Sequence, residues 1–252
     1  MSPLLFNVYI DNLNQSLSNC GIGCEVGGVV LNNLSYADDM CLLAPSVKGL
    51  RKLIRICENY AIEHDIVYNV LKTKCVCFNS VNRLCNIPPV LLRGHLIDFV
   101  PKFTYLGHVF TYDLKDDDDI ACQRRALCGR ANLLLRKFSK CSPAVKMRLF
   151  NSFCNNIYGV QLWCKYKAAS IRSIHVCHNN ALRRLLGLPR TASATNSFVS
   201  NSVNNFCVLR RKNVYSFTCR LQRSENELLK VLCNSDMYYS GLQLHWQNLL
   251  HR

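Results

Sequence analysis

The spacing of apolar residues changes once along this chain, and that change limits what the chain can fold into. Up to about residue 110, apolar side chains come in short β-branched runs broken by glycine and asparagine turns. Beyond Asp116 they recur at three and four residues almost to the C-terminus, the period of an amphipathic helix. The expected class is therefore α+β: a domain over 1–115 built on an antiparallel sheet with packed helices, then an all-helical region over 116–252. With 252 residues, 49% of them apolar and 19% charged, both parts are long enough to bury a core and disorder is excluded.

Local signals fill in the elements. Apolar positions 4, 5, 8, 9, 13 and 17 predict one helix over Leu4–Leu17, with Pro3 tolerated in its first turn. The stretch CEVGGVVL predicts a hairpin turning at Gly27-Gly28, since glycine reaches positive φ without a Cβ clash. Val29–Tyr36 and Met40–Ala44 predict a second hairpin with Asp38 and Asp39 at its tip. Ser46 suits the N-cap of a helix that carries Val47, Leu50, Leu53, Ile54, Cys57 and Ala61 on one stripe. Strands are expected at Lys74–Phe78, Val90–Leu92, His95–Phe99 and Phe103–Phe110.

The run Asp116–Asp119 lacks the alternating ligands and central glycine of a calcium loop, and reads instead as a helix N-terminus favoured by the macrodipole. Later helices are expected after Ser142-Pro143, carrying Val145, Leu149, Phe150, Phe153 and Ile157, and then up to Gly187, with Ile171, Ile174, His178, Ala181, Leu182 and Leu185 inward. Two more are expected around Phe206–Leu221 and Glu225–Leu232.

Charge follows the same division. Residues 1–120 hold 10 Lys or Arg against 13 Asp or Glu, and residues 121–252 hold 21 against 3, so the formal net charge of +15 resides in the helical part. Such a surface draws a polyanion, and nucleic acid is the expected partner; a helical protein whose charges only solubilise it is the plain alternative. Mean hydropathy is +0.02, and no run approaches the roughly 18 apolar residues of a bilayer-spanning helix. The opening MSPLLFNVYIDNLNQ has no basic region and meets Asp11 early, so the expected location is intracellular, in cytoplasm or nucleus. Sixteen cysteines with no CxxC pair read as reduced thiols, not as a disulfide scaffold or a zinc finger.

Asp38 and Asp39 hold the densest chemistry. Two adjacent carboxylates on a tight turn repel unless solvent or cations neutralise them, so the pair is either a solvated bend or part of a divalent-metal platform. Its context favours the second reading. Ser2-Pro3-Leu4-Leu5-Phe6-Asn7, then Tyr36-Ala37-Asp38-Asp39, then Asn69 with Lys72-Thr73-Lys74, then Tyr105-Leu106-Gly107 resemble, in this order and spacing, the reverse transcriptase domain of non-LTR (LINE-like) retrotransposons. The later segments RRALCGRANLLLRKFSKCSPAVKMRLFNSFC, YGVQLW and NNALRRLLGLPR also look like the region that follows the palm in such elements.

This resemblance implies a partial polymerase palm followed by a thumb and connection region. It implies RNA-directed DNA polymerase chemistry with two Mg²⁺ (or Mn²⁺) ions, an RNA template, a DNA primer and dNTPs. Asp38 matches the metal-binding Asp of YADD and Asp39 its neighbour; Tyr36 would lie beside the primer terminus and nucleotide. Ser2 and Pro3 belong to the motif beneath template and nucleotide, and Lys72 to the triphosphate side as a proton donor. Tyr105, Leu106 and Gly107 match the primer-grip hairpin, and Arg124, Arg125, Arg130, Arg136 and Lys137 are the expected contacts to duplex phosphates.

In the family, a further metal-binding Asp and the fingers precede the segment at which this chain starts. The expectation is therefore a C-terminal fragment that does not polymerise alone. The alternative is a non-catalytic nucleic-acid-binding module that uses the basic half. Oligomeric state is left open.

Overall fold

The computed structural model describes residues 2–78 and 87–250. The chain forms two compact units, Met1–Tyr105 with Asn226–Ser235, and Leu106–Glu225 with Asp236–Arg252.

The first unit opens with α1 (Ser2–Tyr9) and α2 (Asp11–Asn19), where one helix was expected. They are separated at Ile10, whose φ of −93° and ψ of 5° leave the helical range although its N–H still reaches the Phe6 carbonyl. A second helix starts at Asp11, whose charge in the first turn suits the macrodipole, and Ile10, Leu13 and Leu17 are buried. Strands β1 (Cys24–Val26) and β2 (Val29–Leu31) pair antiparallel with Val26 opposite Val29 across Gly27-Gly28.

The expected run Val29–Tyr36 is interrupted at Asn32, which is buried. Its Nδ2 donates to the carbonyls of Leu17 and Ile22, and its own carbonyl accepts the Leu43 N–H at 2.7 Å. The second hairpin is thus β3 (Asn33–Tyr36) with β4 (Asp39–Leu42). Helix α3 (Val47–Glu63) starts where the Ser46 hydroxyl accepts the Gly49 N–H at 3.1 Å. It packs Leu53, Cys57 and Tyr60 on Leu13, Leu17, Met40 and Leu42, and Ile54 on a second cluster of Cys75, Val90, Leu92 and Ile97.

A single antiparallel sheet does not form among the described residues. Instead β5 (Lys74–Cys75) pairs in parallel with β8 (Asp98–Phe99), while β6 (Leu91–Leu92) and β7 (His95–Leu96) pair across Arg93-Gly94. The strands are two to four residues long, and Pro88, Pro89 and Pro101 flank them without N–H groups to extend a ladder. Phe103–Phe110 is not one strand. β9 (Lys102–Tyr105) turns at Leu106-Gly107 into β10 (His108–Thr111), and the division between the units falls in that turn.

The second unit continues with α4 (Asp117–Lys137), α5 (Pro143–Cys154), α6 (Ala168–Leu186), α7 (Ala194–Ser200) and α8 (Phe206–Gln222). After α9 (Glu227–Cys233), which belongs to the first unit, α10 (Asp236–Tyr238) passes through a π-helical turn at Tyr239–Gln243 into α11 (Leu244–Leu250). The core takes Ile120, Leu127 and Leu134 from α4, and Phe150, Ile174, Leu182 and Phe198 from the helices around it. Each such side chain stabilises the unit by about 1.5–3 kcal/mol.

Of the apolar residues that α5 carries, Val145 and Phe153 are exposed, because the helix turns Met147, Phe150 and Cys154 inward at spacings of three and four. The carboxylates that open α4 do more than face the helix N-terminus. Asp116 Oδ2 accepts the Cys164 and Lys165 N–H groups at 2.8 and 2.7 Å, and Asp117 Oδ1 accepts the Lys167 N–H and the Ser170 hydroxyl. Fully buried Asp119 accepts the Trp163 indole at 2.7 Å and the Val109 N–H at 3.0 Å.

Candidate functional site

The β3–β4 hairpin lifts the acidic pair clear of the core. Its register sets Tyr36 opposite Asp39 and Leu34 opposite Cys41, and these four share one face because cross-strand partners point the same way. The other face carries Met40 and Leu42 into the cluster with α2 and α3, and holds Ser35, whose hydroxyl donates to Asn14 Oδ1 at 3.1 Å. Asp38 occupies the two-residue turn with Ala37, and both Asp38 and Asp39 are exposed. Tyr36 is 58% exposed, so the face around Asp39 is open to solvent.

Ala37 has φ +52°, a left-handed conformation that costs a residue with a Cβ on the order of 1 kcal/mol. The turn is therefore held from outside, and two separate motifs do so. Asn7 Oδ1, from α1, accepts the Ala37 N–H at 3.3 Å. The Tyr105 hydroxyl, at the end of β9, donates to the Leu34 carbonyl at 3.0 Å. Burial, then the neighbouring Cys41 and Asp39, push the Tyr105 hydroxyl above its usual range, so Tyr105 stays a neutral donor close to Asp39. Three of the four sequence motifs thus converge on one hairpin.

Lys72 is not gathered in. It follows a turn in which Asn69 Oδ1 and the Asn69 carbonyl accept its N–H, and its side chain is exposed. Among the described residues no hydrogen bond or ion pair joins it to Asp38 or Asp39. The side chains of Ser2 and Pro3 lie outside what the structure describes; their backbone forms the first turn of α1.

Leu106 (φ +47°) and Gly107 (φ +78°) make a two-residue turn in which both positions are left-handed, so glycine is needed at the second. Tyr158 secures it: its hydroxyl donates to the Leu106 carbonyl at 2.7 Å, and its ring would stand 3.4 Å from a Cβ at Gly107. Nothing local in the sequence assigns Tyr158 this role, although it opens the segment YGVQLW. The same segment supplies Trp163 to Asp119 and the Gln161 carbonyl to the Trp246 indole at 2.9 Å.

The expected phosphate contacts on α4 do not share a face. At about 100° per residue, Arg125 and Arg136 fall on one side, Arg130 and Lys137 on another, and Arg124 on a third. Arg130 also donates to the Asn156 carbonyl at 3.2 Å, which ties it to the fold. A coherent cationic surface exists elsewhere in the second unit. Arg124 joins Arg172, Arg183, Arg184 and Arg190 around a groove between α4 and α6 that no Asp or Glu lines. Four of these five lie beyond α4 and were missed because only the fold brings them together.

As a chemical device, the hairpin offers oxygen donors of the short carboxylate type that Mg²⁺ prefers, on a rigid two-residue turn. Asp38 and Asp39 would hold such an ion in part; no group of three or more His, Cys, Asp or Glu that fits a metal occurs among the described residues. No helix among the described residues is long and apolar enough to cross a membrane.

Comparison with known proteins bears on the same residues. A family model for reverse transcriptases (RNA-dependent DNA polymerase) matches residues 1–110, the stretch that contains α1, the acidic hairpin, β9 and most of β10. Over 54 residues the chain is 39% identical to the Retrovirus-related Pol polyprotein from type-2 retrotransposable element R2DM of Drosophila melanogaster. That stretch is 21% of this chain and 5% of that protein, so the chain spans only a small part of its relative's length. Residues 1–110 are thus similar to the reverse transcriptase family.

Proposed function

We propose that the first unit is the part of a non-LTR retrotransposon polymerase palm that carries its YADD hairpin, and that the second unit is a thumb and connection region that grips template and primer. The observation that carries this reading is the convergence of Asn7 and Tyr105 on the hairpin that presents Asp38 and Asp39 on an open face. In this reading Asp38 and Asp39 hold a divalent cation, Mg²⁺ or Mn²⁺. When bound, the metal pair of such enzymes activates the primer hydroxyl and steadies the leaving pyrophosphate. Tyr36, opposite Asp39, borders the primer end; Asn7 and Tyr105 keep the hairpin in position, and Lys72 is the candidate donor to pyrophosphate.

Two-metal polymerisation requires a further carboxylate beside Asp38 and Asp39, and among the described residues no third metal-ligating side chain joins them, so this chain alone is proposed to be inactive. Titration of isotope-labelled protein with Mn²⁺ should broaden the amide signals of Ala37 to Met40 first, and Asp38→Asn should abolish that selectivity. Primer extension on an RNA template with Mg²⁺ should yield no product; steady incorporation by a clean preparation would overturn the inactive reading while leaving the metal test intact.

A second reading is favoured by the arginine-lined groove, which lies wholly in the second unit: a non-catalytic binder of nucleic acid. It predicts duplex binding that is indifferent to Mg²⁺ and to Asp38→Asn, whereas the palm reading predicts that Mg²⁺ tightens binding of a primer-template end through Asp38.

A further inference from the structure

Helices α4 and α6 bring the sulfurs of Cys128 and Cys177 to 3.1 Å from each other, although the residues are 49 apart in sequence. Both are free thiols and half-buried. They line the arginine-lined groove together with Ala131, Val176 and Ala181, so a small uncharged molecule entering the groove reaches them.

The separation is the central observation. A disulfide is about 2.05 Å long, so closing the gap needs roughly 1 Å of sulfur movement, within reach of small side-chain rotations. The two thiols are also chemically unequal. Burial, then the contact with Cys128, push the Cys177 thiol up to about 12, while the charge of Arg124 opposes this. The Cys177 thiolate is therefore disfavoured, and the first attack falls to the other sulfur of the pair.

We propose that Cys128 and Cys177 form a dithiol that hydroperoxides oxidise to a disulfide, fastening α4 to α6 beneath the groove. The Cys128 thiolate attacks one peroxide oxygen and the O–O bond breaks. That oxygen stays on sulfur as a sulfenic acid, and the other leaves as hydroxide and is protonated to water. Cys177 then gives up its proton and attacks the Cys128 sulfur, the S–O bond breaks, and a second water leaves. Two thiols have lost two electrons and two protons, and hydrogen peroxide has been reduced to two waters.

The test uses the full chain. Treatment with hydrogen peroxide, capping with N-ethylmaleimide and digestion with trypsin should give ALCGR (residues 126–130) linked to SIHVCHNNALR (residues 173–183), two hydrogens lighter than the two peptides together. Cys128→Ser should leave Cys177 fully capped after peroxide. As a check that needs no variant, phenylarsine oxide on the reduced protein should bind one to one and protect both peptides from capping. The proposal is overturned if both cysteines remain capped after peroxide, if each is found bonded to another cysteine, or if the arsenical protects neither.

Discussion

The Tyr105 hydroxyl and the Leu34 carbonyl, 71 residues apart in sequence, meet at 3.0 Å on the strand that leads into Tyr36 and the acidic turn. An isolated two-stranded hairpin is marginal in water, and this one carries a left-handed alanine and two neighbouring carboxylates at its tip. Contacts from elsewhere in the unit therefore decide whether the acids stay on a rigid support. Tyr105→Phe keeps the ring and removes the donor, and should destabilise the hairpin by about 1 kcal/mol. Hydrogen exchange of the amides from Asn33 to Leu42 should speed up roughly fivefold, with the second unit unchanged. Unaltered protection there would show that Tyr105 does not support the hairpin.

Asp119 tests the acidic run. It is fully buried, accepts the Trp163 indole and the Val109 N–H, and lies 3.2 Å from His108 Nδ1 without the alignment of a hydrogen bond. Asp119→Ala leaves the buried Trp163 indole and the half-buried Val109 N–H without an acceptor and should cost roughly 3–5 kcal/mol of stability in the second unit. Asp119→Asn keeps one acceptor oxygen and should cost less. Chemical denaturation distinguishes them; an alanine variant within about 1 kcal/mol of the parent would refute this bonding role.

These two residues also show how far the sequence could be read. The hairpins and the α3 cap were legible because Gly27-Gly28, Arg93-Gly94 and Ser46 act on their immediate neighbours. The run Asp116–Asp119 was legible as a helix start for the same reason. Its second role was not, because the groups it receives, from Trp163 to Ser170, are 44 to 53 residues away. Asn32 broke an expected strand because its partners are carbonyls at Leu17 and Ile22, which no periodicity reveals. Tyr36, Asp38 and Asp39 are singled out as candidates by an ordered set of motifs, whereas the side of α4 on which each arginine falls depends on how that helix packs.

His178 gives the second unit a pH dependence. Its ring stacks on Phe198 at 5.2 Å, and its Nε2 meets Asn155 Oδ1 at 2.9 Å. Since Asn155 Nδ2 already donates to Asn151, the Asn155 oxygen accepts, which puts the histidine proton on Nε2. Its Nδ1 is buried without a partner among the described residues. Burial first, then His175, push the imidazole down to about 4. In the unfolded chain a histidine titrates near about 6.5, so the stabilisation is complete above that pH. It is lost as pH falls from there toward 4, because the unfolded chain takes up a proton that the folded one refuses. The loss is on the order of 3 kcal/mol. His175 and His245 are also pushed down, chiefly by burial, and add to the slope in the same direction. His178→Phe should be less stable than the parent at pH 7.5 but lose less on going to pH 4.5. Parallel pH profiles for the two proteins would exclude His178 as the sensor.

The groove between α4 and α6 makes a prediction that its geometry separates from one based on charge count. Arg172, Arg184 and Arg190 are exposed on its rim, whereas Arg183 is engaged with the Ala192 carbonyl and Asn180. Each cation that neutralises a duplex phosphate releases counterions and steepens the log-log dependence of affinity on salt by about 0.9. Replacing Arg172, Arg184 and Arg190 together by Gln should therefore flatten the slope for an RNA–DNA duplex by about 2–3 units. Replacing Arg125, Arg136 and Lys137, which also removes three exposed charges, should flatten it by less than about 1 unit, because those residues point to two other sides of α4. Binding curves at several salt concentrations distinguish the cases: equal flattening by both triples would mean that net charge, and not the groove, holds the duplex.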